Sequence, residues 1–161
     1  MLFRSFLRAG DGTWSGSAEL MNRTLTRAHG LDEDALRVRD GSGLSHDNRA
    51  TPAAVTAVLA GLAGGDGAAA FLASLPVSGE DGTLRRRLAR KPYRGRVRAK
   101  TGYASGVSCL SGYVLGADGR PSLAFSILVN GIRPGKAWKA KQLQDALCRV
   151  MVEARDGPDV D

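Results

Sequence analysis

Gly95-Arg96-Val97-Arg98-Ala99-Lys100-Thr101, then Val107-Ser108-Cys109-Leu110-Ser111-Gly112-Tyr113-Val114-Leu115, then Leu123-Ala124-Phe125-Ser126-Ile127-Leu128-Val129 are the segments that decide the fold. Each run is short, rich in strand-forming residues and bounded by turn residues, and Asp118-Gly119 between the last two is a hairpin signal. Three antiparallel strands in a meander are expected. In the third, Leu123, Phe125, Ile127 and Val129 alternate with Ala124, Ser126, Leu128 and Asn130. The second set is also mostly apolar, so both faces of the sheet should be covered. Residues 136–154 carry Leu143, Leu147, Val150 and Met151 at helical spacing, which predicts a closing helix that lays this row across the sheet.

Toward the N-terminus the period changes from two to about 3.6. Ala18, Met21, Leu25 and Ala28 predict an amphipathic helix over 15–29, capped by Ser15 or Ser17 and stopped by Gly30. Leu36-Arg37-Val38-Arg39 alternates as a short strand and runs into Asp40-Gly41-Ser42-Gly43, a glycine-permitted loop that presents Ser45 to Asn48. Thr51-Pro52 opens a second helix whose buried face is Val55, Val58, Leu59 and Leu62, ending at Gly64-Gly65. A further short helix is expected over 68–75, loop over 76–82, and a basic helical turn or two over 83–89. The class is α+β, with residues 1–155 as one domain and 156–161 as a frayed tail.

The chain has 161 residues, enough for one core without staples, and a formal net charge of +7. Much of that charge sits at Arg85-Arg86-Arg87, Arg90-Lys91, Arg94, Arg96, Arg98 and Lys100. The run has only Tyr93 as a stacking aromatic and no nucleic-acid motif, so it reads as a solvated face that favours carboxylate-ended substrates, with no nucleic acid as partner. No apolar stretch is long enough for a membrane span, and Arg8 interrupts the Met1–Leu7 run, so no signal peptide is expected. Cys109 and Cys148 are read as buried and unbridged. With only His29 and His46 as histidines, no metal and no cofactor are expected.

Lys100-Thr101-Gly102 ends a strand. Such an end holds an ammonium and a hydroxyl side by side where they can bind a carboxylate, and a glycine there lets a substrate backbone come close. Upstream, Asp40-Gly41-Ser42-Gly43-Leu44-Ser45-His46-Asp47-Asn48-Arg49 offers a serine and an asparagine that can pass a proton and hold an amide. Alone, each motif is weak.

In order along the chain, this loop, Leu75-Pro76-Val77, Gly82-Thr83-Leu84, Arg96 to Gly102, Gly106-Val107-Ser108, Leu110 to Val114 and Leu123 to Asn130 resemble peptidase family S13. These are the D-alanyl-D-alanine carboxypeptidases of the class C low-molecular-mass penicillin-binding proteins. The resemblance implies part of a penicillin-binding-protein and serine β-lactamase-like transpeptidase domain. It also implies that Ser45 aids proton transfer to the leaving group, Asn48 holds the substrate amide, and Lys100 and Thr101 bind the terminal carboxylate. Gly102 would flank the substrate, and the Tyr103 N–H would be one oxyanion donor. Two residues separate Ser45 from Asn48, which leaves the asparagine role to Asn48 or a neighbour. Tyr103 stands where the family usually has a small hydroxylated residue, which narrows the cleft. On this reading Lys100-Thr101 and the 45–48 hook share a pocket.

The family's nucleophile and base are a Ser-x-x-Lys pair, and no serine of this sequence has a lysine three residues on. An unactivated serine is a poor nucleophile. The expectation is therefore the C-terminal part of the enzyme, with a missing N-terminal segment and no turnover alone. Its partners would be peptidoglycan stem peptides ending in D-Ala-D-Ala, and β-lactams once the nucleophile segment is supplied. By family the place of work is periplasmic or otherwise extracytoplasmic. The alternative is a non-catalytic binding module, either half of a split enzyme or a basic polymer-binding protein.

Overall fold

The computed structural model describes residues 13–43 and 45–157. The Met1–Arg8 stretch, Leu44 of the polar loop and residues 158–161 of the expected tail lie outside the described residues. The chain divides into two compact units, Met1–Val58 and Leu59–Asp161.

In the first unit, α1 spans Trp14–His29. Its cap is Thr13, ahead of the expected Ser15 or Ser17, and Thr13 Oγ1 accepts the Gly16 N–H at 3.0 Å. Gly30 ends the helix at φ 59°, in the left-handed region that glycine tolerates. A 3₁₀ turn, Glu33–Ala35, leads into β1 (Leu36–Arg37), which pairs antiparallel with β2 (Arg49–Ala50). The strand expected to reach Arg39 stops at Arg37 because Asn22 of α1 takes over the next backbone groups. Val38 N–H donates to Asn22 Oδ1 at 2.7 Å, and Asn22 Nδ2 donates to Val38 O at 3.0 Å. Helix α2 spans Pro52–Ala63, with Thr51 Oγ1 accepting from Ala54 N–H at 3.1 Å.

The second unit holds α3 (Ala68–Ala73), a 3₁₀ turn at Gly82–Leu84, and β3 (Val97–Ala104), β4 (Val107–Leu115) and β5 (Pro121–Val129) in the order β3-β4-β5. Helix α4, Ala137–Asp156, closes it. Cross-strand partners share a face, and the register pairs Val97 with Val114, Thr101 with Leu110 and Gly112 with Phe125. That face packs with Cys148 and Val152 of α4, and with Leu84 and Leu88, into the core. Burial pushes the Cys148 thiol up to about 12, so it behaves as an apolar residue. On the opposite face, buried Tyr113 donates its hydroxyl to Leu59 O at 2.6 Å and meets Phe71 edge-on, while Arg98 donates to Leu72 O. The ends of α2 and α3 are tied to the sheet by these contacts.

Two expectations need correcting. The residues that α4 turns to the sheet are Ala140, Gln144, Cys148 and Val152; of the expected row Met151 packs against the core, whereas Leu143, Leu147 and Val150 are 50%, 40% and 61% exposed. Small side chains let the helix axis approach the strands, and Gln144 finds inward partners that a leucine could not use. Over 83–89 the helical turn ends at Leu84, and the segment does not run on as helix to residue 89, since Leu88 adopts φ 52°. A left-handed leucine costs about 1–3 kcal/mol; burial of its side chain, 6% exposed, offsets this.

Candidate active-site segments

The loop of residues 40–48 is organised by a carboxylate. Asp40 Oδ1 accepts N–H bonds from Ser42 (3.1 Å) and Gly43 (2.8 Å), and Oδ2 accepts from Ser45 N–H (2.7 Å). Asn48 completes the ring: its Nδ2 donates to Asp40 Oδ1 at 3.2 Å, and its Oδ1 accepts from Arg39 and Asp40 N–H at 2.7 and 3.3 Å. Partial desolvation raises the Asp40 pKa. The bonds from Asn48, Gly43, Ser45 and Ser42 together outweigh it, so the carboxyl lies below its ordinary range. Ser45 Oγ accepts from Asp47 N–H at 3.1 Å, which leaves its own hydrogen free to donate. Asn48 commits one of its two amide hydrogens to Asp40 and keeps the other.

The rim of β3 is organised by the sheet. Segment 76–78 covers only the first part of this edge, through Ser78 N–H to Val97 O (2.8 Å) and Ala99 N–H to Pro76 O (3.0 Å). By the alternation of an antiparallel strand, Thr101 and Tyr103 direct their N–H and C=O toward the same edge, beyond the end of that cover. Lys100 is exposed and donates Nζ–H to Thr101 O at 2.6 Å. Its register partner is Ser111, whose hydroxyl lies 2.9 Å from that of Ser126, so a polar row crosses three strands. Thr101 Oγ1 donates to Thr83 Oγ1 at 3.1 Å. A Cβ on Gly102 would sit 3.2 Å from the Cys109 Cβ, which is tight, and Tyr103 is 74% exposed.

A buried network supports this rim from the α4 side. Gln144, fully buried, donates Nε2–H to Ser108 Oγ at 3.2 Å and accepts from Arg87 at 3.1 Å; Arg87 also pairs with Asp145 at 2.8 Å. Ser108 is the register partner of Tyr103. Reading the arginine run as one solvated face hid Arg87. Asp40 carried a legible signal, since an aspartate before Gly-Ser-Gly is a local backbone acceptor.

A sequence profile described as D-Ala-D-Ala carboxypeptidase 3 (S13) family matches residues 1–153. The chain is 43% identical over 150 residues to a D-alanyl-D-alanine carboxypeptidase of Actinomadura sp. (strain R39), covering 90% of this chain and 27% of that protein. It is 33% identical to the penicillin-sensitive carboxypeptidase A of Dictyostelium discoideum, over 80% of this chain and 25% of that one. The crystal structure of penicillin-binding protein 4 from Haemophilus influenzae superposes with a TM-score of 0.74 at 27% identity, over 86% of this chain and 32% of the other. The chain thus spans about a quarter of the length of these curated relatives.

Proposed function

Since the chain belongs to the D-Ala-D-Ala carboxypeptidase 3 (S13) family, we propose that it carries the substrate-gripping part of a serine-type D-Ala-D-Ala carboxypeptidase or endopeptidase acting on peptidoglycan peptides. The observation that carries this reading is the β3 rim: an exposed ammonium at Lys100, a hydroxyl at Thr101, and outward main-chain groups at Thr101 and Tyr103 on one strand edge. Lys100 and Thr101 bind the terminal carboxylate, a charge-assisted contact. Gly102 admits the substrate backbone, and the Tyr103 N–H donates to the developing oxyanion. Ser45 donates its free hydrogen toward the leaving group, and Asn48 gives its free amide hydrogen to the substrate carbonyl. The Asp40 ring keeps both residues in place.

Family members are extracytoplasmic cell-wall enzymes, and no helix among the described residues is long and apolar enough to cross a membrane. The acyl-accepting serine and its lysine come from a Ser-x-x-Lys segment, which the 161 residues do not contain. An N-acylated peptide ending in D-Ala-D-Ala, titrated into ¹⁵N-labelled protein, should shift the amides of Thr101, Gly102 and Tyr103. Lys100→Ala should abolish those shifts. Shifts confined to other segments would overturn the reading. Labelled penicillin should leave no covalent adduct on these 161 residues alone; a stable adduct on denaturing electrophoresis would place a nucleophile inside them.

A second reading, half of a split enzyme, is favoured by the exposed row Leu143, Leu147 and Val150 on α4 and by the edge position of β5 among the described residues. Exposed apolar rows of this kind mark partner surfaces. The partner would be a polypeptide bearing Ser-x-x-Lys. Recovery of penicillin acylation on mixing such a polypeptide with this chain is the expected result.

A further inference from the structure

The basic segment after the second 3₁₀ turn is a strap along α4. Arg87 is fastened to Asp145 and Gln144, the Tyr93 hydroxyl donates to Glu153, and Arg96 grips Asp156 through two N–H bonds of 2.8 and 2.6 Å. With Leu88 in the core, these anchors spread the strap over some three turns of helix, about 16 Å at 1.5 Å per residue. Every one of these carboxylates is engaged by an anchoring residue. Arg85, Arg86, Arg90 and Lys91 are exposed, and no ion pair engages them among the described residues. Arg149 of α4 adds a fifth cation, lying over the Tyr93 ring at 5.8 Å.

We propose that this strap is a docking surface for a linear, phosphodiester-linked anionic glycopolymer of the cell envelope, separate from the carboxylate-gripping rim of β3. Exposed cations that have no ion pair among the described residues, carried on an anchored backbone, suit an anion repeated along a chain. Guanidinium forks match phosphate oxygens, and binding is driven by release of the polymer's counterions. A single-stranded nucleic acid would need aromatic platforms; the one aromatic of the strap, Tyr93, is already covered by Arg149 and tied to Glu153. The choice of an envelope polymer rests on the extracytoplasmic location of the family; the basic surface itself does not depend on the chemistry at Lys100.

The test is binding of fluorescently labelled poly(glycerol phosphate) to the 161-residue protein between 50 and 200 mM salt, followed by anisotropy. About four neutralised phosphates give a slope of log affinity against log salt near −3. The combined variant Arg85→Gln, Arg86→Gln, Arg90→Gln, Lys91→Gln should lose at least tenfold in affinity and most of that slope. Arg85→Gln with Arg86→Gln alone should lose about threefold, which keeps the test usable if the fourfold variant folds poorly. A control with the same charge loss elsewhere, Arg23→Gln, Arg27→Gln, Arg37→Gln, Arg133→Gln, should bind like the wild type, as should Lys100→Ala. Equal loss in the control would reduce the effect to net charge and overturn the proposal. So would loss on Lys100→Ala, which would put the polymer on the rim, or tighter binding of single-stranded DNA than of the glycopolymer. The D-Ala-D-Ala titration is independent: its failure alone removes the catalytic reading and leaves the strap standing.

Discussion

The loop of residues 40–48 and the rim of β3 hold their candidate side chains by opposite means. At the rim, position is inherited from the core: Ala99 and Leu110 are fully buried, the register runs unbroken from Val97–Val114 to Ala104–Val107, and Lys100 has only to project from a fixed strand. In the loop, no side chain from Gly41 to Asn48 is classed as buried among the described residues, and position comes from N–H groups converging on Asp40. A rim held by packing should respond to cavities and ignore pH. A loop held by one carboxylate should respond to its protonation and ignore the core.

The largest effect is expected from the core under the rim. Leu110→Ala removes a side chain with no exposed surface, and such truncations cost about 2–5 kcal/mol. The urea midpoint of the second unit should fall accordingly, with amide protection lost along β3, β4 and β5 together. Loss confined to β4 would break the claim that rim position is inherited from the whole sheet.

Next comes the network behind Tyr103. Gln144→Ala leaves Ser108 Oγ without its amide partner in a buried place and takes one acceptor from Arg87, which keeps Asp145. An unsatisfied buried polar group costs about 1–3 kcal/mol, so the thermal midpoint should drop by less than for Leu110→Ala. Exchange at the Tyr103 and Ser108 amides should quicken ahead of global unfolding. An unchanged rim in this variant would show that α4 is fastened elsewhere.

The strands were legible because alternation and turn residues act locally: Asp118-Gly119 marks the β4–β5 turn, and Gly30 and Thr51-Pro52 mark helix ends whose chemistry is in the sequence itself. The α4 face was not, because hydrophobic periodicity weighs large residues. The sheet selects small ones at Ala140 and Cys148 and a polar one at Gln144, whose partners lie 36 and 57 residues away. The motif Lys100-Thr101-Gly102 was readable as chemistry. Its Thr83 partner was not, since a hydroxyl pair between a 3₁₀ turn and a strand leaves no periodic trace. Among the arginines, Arg87 and Arg96 are anchors, whereas Arg85 and Arg86 have no ion pair among the described residues, a division set by where α4 places Asp145 and Asp156.

The smallest global effect, and the sharpest contrast, belongs to Asp40. Its folded pKa is lowered from the ordinary 3.8, because hydrogen bonds favouring the charged form outweigh desolvation. A depressed carboxyl contributes stability that is fully present above its unfolded value and is lost as pH falls through the folded one. Protection factors of the Ser42, Gly43 and Ser45 amides should therefore stay flat from neutral pH to about 5 and collapse below 3.8, while those of Val97 to Thr101 hold. Asp40→Asn should reproduce the acid state of the loop at neutral pH, with the urea midpoint of the second unit unmoved. If loop and rim instead loosen at the same pH, the loop does not stand on its carboxylate.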